Sequence, residues 1–562
     1  MASEVFRCLL ISDFNLDNMA GYLANDPEWP NIEVRKAPIG QVIPSLVDET
    51  RECWQEDIDF AVVWTRPEAV IPSFDALLKY EKVDGDSIGG EVDDFVDALS
   101  ALQGRVKFVF VPSWSLSAHH RGLGMLDMQV GVGLNSTLMD MNLRLANGLG
   151  NIDSSYFVLN AQKWIESVGK KAFSPRLWYM AKIPFSNEVF KESVRDIKVS
   201  VSGIQGRAKK LLVVDLDDTL WGGIVGDVGW ENLRLGGHDP LGEALVDFQK
   251  ELKALTNRGI MLGIASKNEE SVALEAIASH PEMVLKSGDF VGWKINWEDK
   301  AKNILELVTE LNIGIDSVVF IDDSPAERAR VREAFPEVLV PEWPQDKMLY
   351  KQALLDLRCF DVPSLAEEDG KRTQMYASER ERKKLKEDIG SLEDWLEKLE
   401  VKVQVEEFNS ANLQRTVQLL NKTNQMNLRT RRMTENELVD WVREGLCLFW
   451  TFRVKDRFGA YGLTGIISLE VRGREAIICD FLLSCRVMGR KVEEAMVYTA
   501  IEAARSRGLD RVCAHYISTV KNRPCLKFWE ESGFSREGDS ESFIWDLQSV
   551  YPAPDLVELS IT

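Results

Sequence analysis

Two carboxylates and a hydroxyl group follow a short apolar stretch near the middle of the chain. Residues 211–223 read L-L-V-V-D-L-D-D-T-L-W-G-G, so Asp215, Asp217 and Thr219 come directly after four strand-forming residues. A parallel strand that ends in this way places the acidic side chains at the carboxyl edge of a sheet, where α/β folds bind ligands. With Mg²⁺ bound between them, one carboxylate can attack phosphorus while the other handles the leaving-group proton. The simpler alternative is a strand-end pair that caps the next helix.

Further segments supply groups that would complete a phosphate-handling site. A second apolar stretch ends at Ser266, whose hydroxyl can donate to a phosphoryl oxygen, and a third ends in Asp322 and Asp323, which suit a metal. Lys300 stands near the start of a predicted helix, where its cation can face the same phosphate. Lys294 is the weaker alternative, because it precedes that helix. The order of these groups favours a catalytic site over chance.

This four-part pattern resembles the haloacid dehalogenase (HAD) superfamily of phosphotransferases. The resemblance implies that Asp215 is the nucleophile, which forms an aspartyl-phosphate, and that Asp217 is the general acid/base. The side chains that it implies for phosphate binding are Thr219, Ser266 and Lys300. Those that it implies for the Mg²⁺ cofactor are Asp215, Asp217, Asp322 and Asp323.

Length and composition describe a globular protein of several domains. The chain has 562 residues, 45% hydrophobic and 28% charged, which predicts three or four domains. A net charge of −22 argues against nucleic-acid and anionic-membrane partners. The eight cysteines are scattered without a disulfide or metal spacing, the N-terminus lacks a signal-peptide pattern, and no apolar run has the length of a membrane span. We therefore expect a cytoplasmic protein with reduced thiols.

Hydrophobic patterning predicts an α/β multidomain fold. Residues 1–205 alternate apolar runs with helix-compatible stretches and resemble a flavodoxin- or SGNH-hydrolase-like parallel sheet. Residues 206–362 are the HAD-like domain with a Rossmann-like sheet, residues 363–384 a charged helical linker, and residues 385–562 a GNAT-like α+β domain.

The N-terminal domain is predicted to be noncatalytic. Ser12 and Asp13 stand where a nucleophile would follow the first strand, and Asn135 offers an amide. The later D-x-x-H of SGNH hydrolases is missing, and His119 and His120 come too early in the chain. We expect this domain to pack against its neighbours or to close over a substrate.

The C-terminal region resembles the GNAT acyltransferases. Arg486-x-x-Gly489-Arg490 lies between a strand and a helix, where backbone amides can cradle a pyrophosphate, and Asn522 precedes an aromatic pair. Lys491 replaces the last glycine of the usual R-x-x-G-x-G pattern, which puts acetyl-coenzyme A binding in doubt. The alternative is a degenerate domain that holds an acyl-carrier partner or only packs on its neighbour.

The order of the three domains resembles the FkbH-like proteins. Supporting strings lie at 174–186, 215–223, 295–297, 420–428, 456–459 and 484–490. The resemblance implies transfer of a glyceryl unit from 1,3-bisphosphoglycerate to the phosphopantetheine thiol of an acyl carrier protein, with loss of phosphate, for polyketide-type precursor supply. The alternative is a Mg²⁺-dependent phosphatase of a small metabolite with noncatalytic flanking domains.

Two features bear on the carrier. Some FkbH-like enzymes are thought to hold the acyl group on a cysteine beside the first motif, but this chain has Leu216 there. Cys485 is the remaining candidate, although it also fits a small buried hydrophobe, and we favour direct transfer to the carrier thiol. The basic residues Arg429, Arg431 and Arg432 are predicted to contact the HAD domain or an acidic carrier, or else to form a solvated turn.

Overall fold

The computed structural model describes residues 5–117, 119–364, 391–444, 447–536, 538 and 541–561. The chain divides into two compact units, one of residues 1–202 with 434–437 and the other of residues 203–433 with 438–562. Most of the predicted charged linker, 363–384, lies outside the described residues. No helix in the described part of the chain has the length and apolar character needed to cross a membrane.

The first unit is built on a parallel sheet. Among the described residues its strands run in the order β2-β1-β3-β4-β5, and each neighbouring pair is parallel. The strands are β1 (Val5–Ser12), β2 (Asn31–Lys36), β3 (Phe60–Trp64), β4 (Phe108–Pro112) and β5 (Tyr156–Leu159). The helices are α1 (Asp17–Asn25), α2 (Val42–Val47), α3 (Pro67–Val70), α4 (Pro72–Leu78), α5 (Gly85–Ser100), α6 (Leu134–Ile152), α7 (Ala161–Val168), α8 (Pro175–Ala181) and α9 (Asn187–Ile204). Every residue of β3 and β4 is buried, as expected for inner strands of a covered parallel sheet.

The second unit contains a smaller parallel sheet that carries the acidic motifs. Its described strands lie in the order β8-β7-β6-β9. They are β6 (Leu211–Val214), β7 (Met261–Ser266), β8 (Phe290–Ile295) and β9 (Val318–Ile321). The helices of this part are α10 (Val225–Val228), α11 (Pro240–Asn257), α12 (Glu270–Ser279), α13 (Lys300–Glu310), α14 (Pro325–Ala334) and α15 (Tyr350–Leu355). Side chains of β6, β7 and β9 are buried on both faces, which explains their continuous apolar sequence.

The same unit also contains a mixed sheet. Its described strands follow the order β16-β17-β15-β14-β13-β12-β10-β18, and β11 pairs with β14. They are β10 (Val401–Glu407), β11 (Met426–Asn427), β12 (Cys447–Asp456), β13 (Gly459–Arg472), β14 (Glu475–Leu483), β15 (Arg511–His515), β16 (Ser535–Arg536), β17 (Ser542–Asp546) and β18 (Val557–Ile561). The helices are α16 (Leu392–Leu399), α17 (Leu413–Lys422), α18 (Glu435–Glu444), α19 (Val492–Ser506) and α20 (Arg523–Glu531). The pairs β14/β15 and β10/β18 are parallel, while the other pairs along that strand order are antiparallel.

The predicted fold class is confirmed. Two parallel α/β sheets and one mixed α+β sheet occur in the predicted order along the chain. The helix predicted after the Arg486 turn is α19. Strands β2 and β5 were not predicted, and they are the two edges of the first sheet.

Candidate functional site

The acidic site lies at the carboxyl edge of the β8-β7-β6-β9 sheet. Strand β6 ends at Val214, β7 at Ser266 and β9 at Ile321, and the three strands are parallel neighbours. The chain therefore delivers Asp215, Ser266 and Asp322 to one edge, as their positions in the sequence predict.

Lys300 lies between two of these acidic side chains. Its Nζ is 2.8 Å from Asp215 Oδ1 and 2.7 Å from Asp322 Oδ2, and all three side chains are less than 10% exposed. Burial disfavours the ammonium, but the charges of Asp215 and Asp322 outweigh that effect and raise the pKa of Lys300. Lys294, the alternative lysine, instead pairs with Glu306 and Glu310.

Three carboxylates form a group that could hold a metal ion. One oxygen from each of Asp215, Asp322 and Asp323 lies within 4.8 Å of the other two. Burial and the nearby charge of Asp215 raise the pKa of Asp322 to about 7, and the same causes raise the pKa of Asp323. Lys300 compensates only part of this negative charge. Hard carboxylate oxygens at this spacing fit a divalent cation such as Mg²⁺, which would remove the remaining repulsion.

Asp217 is held apart from this group, which differs from its predicted place among the metal ligands. Its Oδ1 accepts hydrogen bonds from Trp221 Nε1 at 2.8 Å and from the Val225 backbone N–H at 3.0 Å. Its Oδ2 accepts one from Asn268 Nδ2 at 2.7 Å. Burial is the main cause of its raised pKa. The carboxylate is thus oriented by fixed donors, and its role as an acid/base remains a prediction.

Thr219 and Arg328 shape the loop that carries the second acidic pair. The Thr219 hydroxyl accepts a hydrogen bond from the Asp323 N–H at 3.2 Å. Arg328, on α14, donates from one Nη to the carbonyl oxygens of Asp322 and Asp323 at 2.7 and 2.8 Å. Thr219, predicted to bind phosphate, is therefore engaged with the backbone of the acidic loop.

The sequence did not point to two residues that hold the site, Asn268 and Arg328. It also did not point to the ion pair between Asp218 and Lys347. Asp218 has a positive φ of 56° and accepts the Gly223 N–H at 2.9 Å, so it forms the turn after β6. Of these residues, Asn268 alone could have been found from the sequence, because it stands two residues after the strand-end Ser266, just as Asp217 stands two residues after Asp215.

Segment 420–432 packs against the loop that precedes β6. The Asn421 carbonyl oxygen lies 2.3 Å from where a Cβ of Gly206 would stand, so a larger residue would collide there. The arginines are used internally: Arg431 Nη2 lies 2.6 Å from Asp480 Oδ2, Arg429 donates to the His515 carbonyl, and Arg432 to the Leu420 carbonyl. The close approach of Asn421 to Gly206 fits the predicted interface with the HAD-like part. The hydrogen bonds and ion pair of the three arginines are instead made to Asp480, His515 and Leu420, outside that part, and their contact with a carrier stays a prediction.

The GNAT-like signature residues do not join the acidic site. Asn522 is fully buried, and its side chain accepts from Tyr516 Oη and the Thr519 N–H and donates to the carbonyls of Asn427 and Ile517. Its hydrogen-bonding capacity is therefore used within the fold, so a ligand contact is not supported.

The predicted pyrophosphate loop contains an internal carboxyl group. The Gly489 N–H donates at 2.7 Å to Oε1 of Glu493, in the first turn of α19. Glu493 is 3% exposed, and burial raises its pKa to about 7. Lys491 has a positive φ of 64°, a conformation that favours the glycine it replaces. An amide expected to meet a pyrophosphate is thus already satisfied by a side chain.

Cys485 and Arg486 lie at the opposite edge of the small sheet. They line a cavity together with Lys210 and Met261, which stand at the starts of β6 and β7. Lys210 and Asp215 are five residues apart along β6, which corresponds to about 16 Å. Cys485 therefore does not face the acidic site.

In the first unit, the residues singled out have local partners. Ser12 Oγ accepts the Phe14 N–H at 3.1 Å, and Asp13 pairs with Arg66 at 2.7 Å. The Asn135 amide donates to Asp127. No catalytic arrangement is built from these contacts.

Comparison with known proteins gives a close relative for most of the chain. The N-terminal part of BF1531 from Bacteroides fragilis, which contains a phosphatase domain and was solved in complex with Mg, is 32% identical. The match covers 64% of this chain and 95% of that one, with a TM-score of 0.58. A scan against models of known protein families and a search of curated proteins found no match.

Other solved structures resemble about a quarter of the chain, with lower sequence identity and lower TM-scores. A GNAT-family acetyltransferase from Staphylococcus aureus Mu50 is 12% identical, with 26% of this chain and 99% of that chain covered and a TM-score of 0.21. Ard1 from Thermoplasma volcanium is 17% identical, with 26% and 97% covered and a TM-score of 0.20. Because BF1531 is 32% identical over 95% of the solved chain, the protein belongs to the family of HAD phosphatase-domain proteins that BF1531 represents.

Proposed function

We propose that the protein is a Mg²⁺-dependent phosphatase or phosphotransferase that acts at the Asp215 site. The observation that carries this proposal is the group of two buried carboxylates, Asp215 and Asp322, and the partly buried Asp323, with Lys300 bridging the two buried members. The presence of Mg in the structure of the BF1531 relative supports the choice of cation. Mg²⁺ held by these carboxylates would supply charge neutralisation for an incoming phosphate.

Each side chain of the site has a distinct role in the proposed reaction. A carboxylate oxygen of Asp215 attacks phosphorus, and the bond from phosphorus to the leaving oxygen breaks. Asp217, held by Trp221 and Asn268, gives its proton to that leaving oxygen and then takes one from the water that hydrolyses the aspartyl-phosphate. Lys300 and the Ser266 hydroxyl stabilise the phosphoryl oxygens.

The first experiment replaces the nucleophile. Phosphate release from acetyl phosphate, followed across a Mg²⁺ titration, should fall by several orders of magnitude in Asp215→Asn. Asp247→Asn, on the exposed face of α11, is the matched control and should retain activity. Near wild-type release by Asp215→Asn, or full wild-type activity in excess chelator, would overturn the assignment.

The finer proposal is glyceryl transfer from 1,3-bisphosphoglycerate to the phosphopantetheine thiol of an acyl carrier protein. Its support is the resemblance of the whole chain to FkbH-like proteins, including the strings at 420–428 and 484–490. The acyl phosphate is already activated, so transfer needs mainly positioning and stabilisation of the oxyanion. Leu216 beside the nucleophile and the distance of Cys485 from the acidic edge favour direct transfer to the carrier.

Mass spectrometry separates this proposal from a simple phosphatase. A cognate holo-carrier incubated with enzyme, Mg²⁺ and enzymatically generated 1,3-bisphosphoglycerate should gain a glyceryl group without phosphate. Release of phosphate with no acylated carrier would favour the phosphatase. Cys485→Ala should load the carrier at the wild-type rate, whereas a thioester trapped on wild-type enzyme and lost in that variant would contradict direct transfer.

A further inference from the structure

A sharp turn after strand β6 carries Asp217, the side chain proposed to move the proton. The next residue, Asp218, has a φ of 56°, in the left-handed region that residues other than glycine seldom adopt. Beyond the turn, the Thr219 hydroxyl accepts the Asp323 N–H at 3.2 Å. The place of the Asp217 carboxylate therefore depends on how this turn is held against the rest of the sheet.

The donors to Asp217 orient its carboxylate within the turn more than they fix the turn itself. Two of them, Trp221 Nε1 and the Val225 N–H, belong to the same stretch of chain and would move with it. A third, Asn268 Nδ2, comes from the residues after β7. The contacts of the neighbouring Asp218 are thus a further means of keeping Asp217 at the acidic site.

Those contacts come from a distant part of the chain. Lys347 Nζ forms an ion pair with Asp218 Oδ1, and the Tyr350 hydroxyl makes a long hydrogen bond of 3.4 Å to the Asp218 carbonyl oxygen. Trp343 and Tyr350, on either side of Lys347, are buried in the core with their ring centres 5.2 Å apart. The lysine therefore stands on an anchored segment, and its side chain is mostly buried.

The turn needs this cation because Asp218 adds a further carboxylate beside the acidic group. Burial and then the charges of Asp215 and Asp218 raise the pKa of Asp323, while the charges of Lys300 and Lys347 act in the opposite direction. Burial also acts to raise the pKa of Asp218, but pairing with Lys347 keeps that pKa below its usual value. Without Lys347, the unpaired charge of Asp218 would repel Asp323 and push the turn away from the loop after β9.

We propose that Lys347 is a positioning residue for the reaction at Asp215: by neutralising Asp218, it holds the turn that presents Asp217 to the leaving oxygen. This inference rests on the proposed phosphatase or phosphotransferase function and adds to it a residue outside the four sequence motifs. Lys347 acts through Asp218 and not on the substrate. It should therefore be required only while Asp218 carries a charge.

A double-mutant cycle on the full chain tests this dependence, with acetyl phosphate as the substrate and Mg²⁺ at saturation. Lys347→Met should lower kcat at least tenfold and change KM less than threefold, because Ser266 and Lys300 are proposed to hold the phosphate. In the Asp218→Asn background the same substitution should change kcat less than threefold. Asparagine retains an oxygen that can accept the Gly223 N–H and tolerates the positive φ, so this background removes chiefly the charge.

Two further variants separate the charge of Lys347 from general damage to the fold. Lys347→Arg, which keeps the positive charge, should recover at least a third of the wild-type kcat. Lys351→Met is the matched control, because it removes a lysine that lies on the adjoining helix α15, is about half exposed and pairs with Asp247 at 3.8 Å. It should change kcat less than twofold. Each variant is assayed below its own melting temperature, so that only folded protein is compared.

The outcomes distinguish this inference from the function on which it rests. Equal losses of kcat from Lys347→Met in both backgrounds, or no loss in either, would overturn the positioning role and leave the phosphatase in place. A raised KM with unchanged kcat would make Lys347 a substrate-binding group and would also refute it. A wild-type protein that releases no phosphate, or an Asp215→Asn variant as active as wild type, would overturn the proposed function and this inference with it.

Discussion

Lys300 shows how charge is balanced at the acidic site. It makes ion pairs with Asp215 and Asp322, two of the three carboxylates that lie close together there. Burial of several ionised groups gains little stability even when they are paired, since desolvation offsets the Coulomb attraction. The arrangement is therefore better explained by chemistry at the site than by stability of the fold.

Replacing this lysine should affect both activity and stability. In Lys300→Met two buried carboxylates lose their partner, so phosphate release should fall at least 100-fold. The free energy of unfolding should fall by about 3–5 kcal/mol without metal. Activity assays and urea unfolding measure the two effects. Lys294→Met, which removes a surface pairing with Glu306 and Glu310, is the control. Unchanged turnover in Lys300→Met would contradict the role proposed for this residue.

At the scale of elements, α14 fixes the loop after β9. The Arg328 side chain is buried and bridges the carbonyl oxygens of Asp322 and Asp323. Thr219 holds the same loop from the other motif, through the Asp323 N–H. The side chains of Asp322 and Asp323, which could hold the metal, are thus positioned by contacts to their backbone.

Arg328→Met should consequently loosen metal binding. We expect a higher Mg²⁺ concentration at half-maximal activity and a loss of about 1.5–3 kcal/mol in stability, the range for hydrogen bonds with a charged donor. The control is Arg330→Met, because Arg330 lies on the same helix but is half exposed and pairs with Asp299. If both variants shifted the Mg²⁺ requirement equally, the clamp at Arg328 would have no special role.

The start of α19 offers a test by pH. Burial keeps the Glu493 carboxyl protonated up to about pH 7, whereas its ordinary pKa is 4.5. Between these values the folded state binds more protons than the unfolded state, so Glu493 makes stability fall as pH rises. Glu493→Gln should reduce that fall between pH 5 and pH 8 in urea unfolding. Glu494→Gln, at a more exposed neighbouring position paired with Lys491, should leave it unchanged. Equal slopes in wild type and Glu493→Gln would contradict the burial of a protonated carboxyl.

At the scale of the whole molecule, the inner strands were predictable and the edges were not. Strands β3, β4 and β6 are continuous apolar runs because both of their faces are covered. Strands β2 and β5 lie at the edges and are only partly buried, so their sequences lack that signal. Sequence patterns report local burial, and edge strands have less of it.

The candidate site likewise has residues that the sequence predicted and residues that it did not. Asp215, Ser266 and Asp322 were predictable because each follows an apolar strand, and parallel strands share an edge. Arg328 comes from an ordinary helix, and only the tertiary fold brings it to the carbonyls of the acidic loop. Conversely, Asn522 resembled a ligand contact by its motif, but its amide is used within the fold. The spacing of residues in the sequence does not reveal which partners a buried side chain hydrogen-bonds.

Metal binding should stabilise the second unit as a whole, because the folded state holds Asp215, Asp322 and Asp323 together and the unfolded chain does not. Mg²⁺ at 100 times its dissociation constant would add about 2.7 kcal/mol to the free energy of unfolding. The melting temperature should therefore rise saturably with Mg²⁺ and not with NaCl of equal ionic strength. The rise should shrink in Asp323→Asn and persist in Asp316→Asn, which alters an acidic residue outside the group. An equal rise in Asp323→Asn and wild type would mean that Mg²⁺ stabilises the protein at another place.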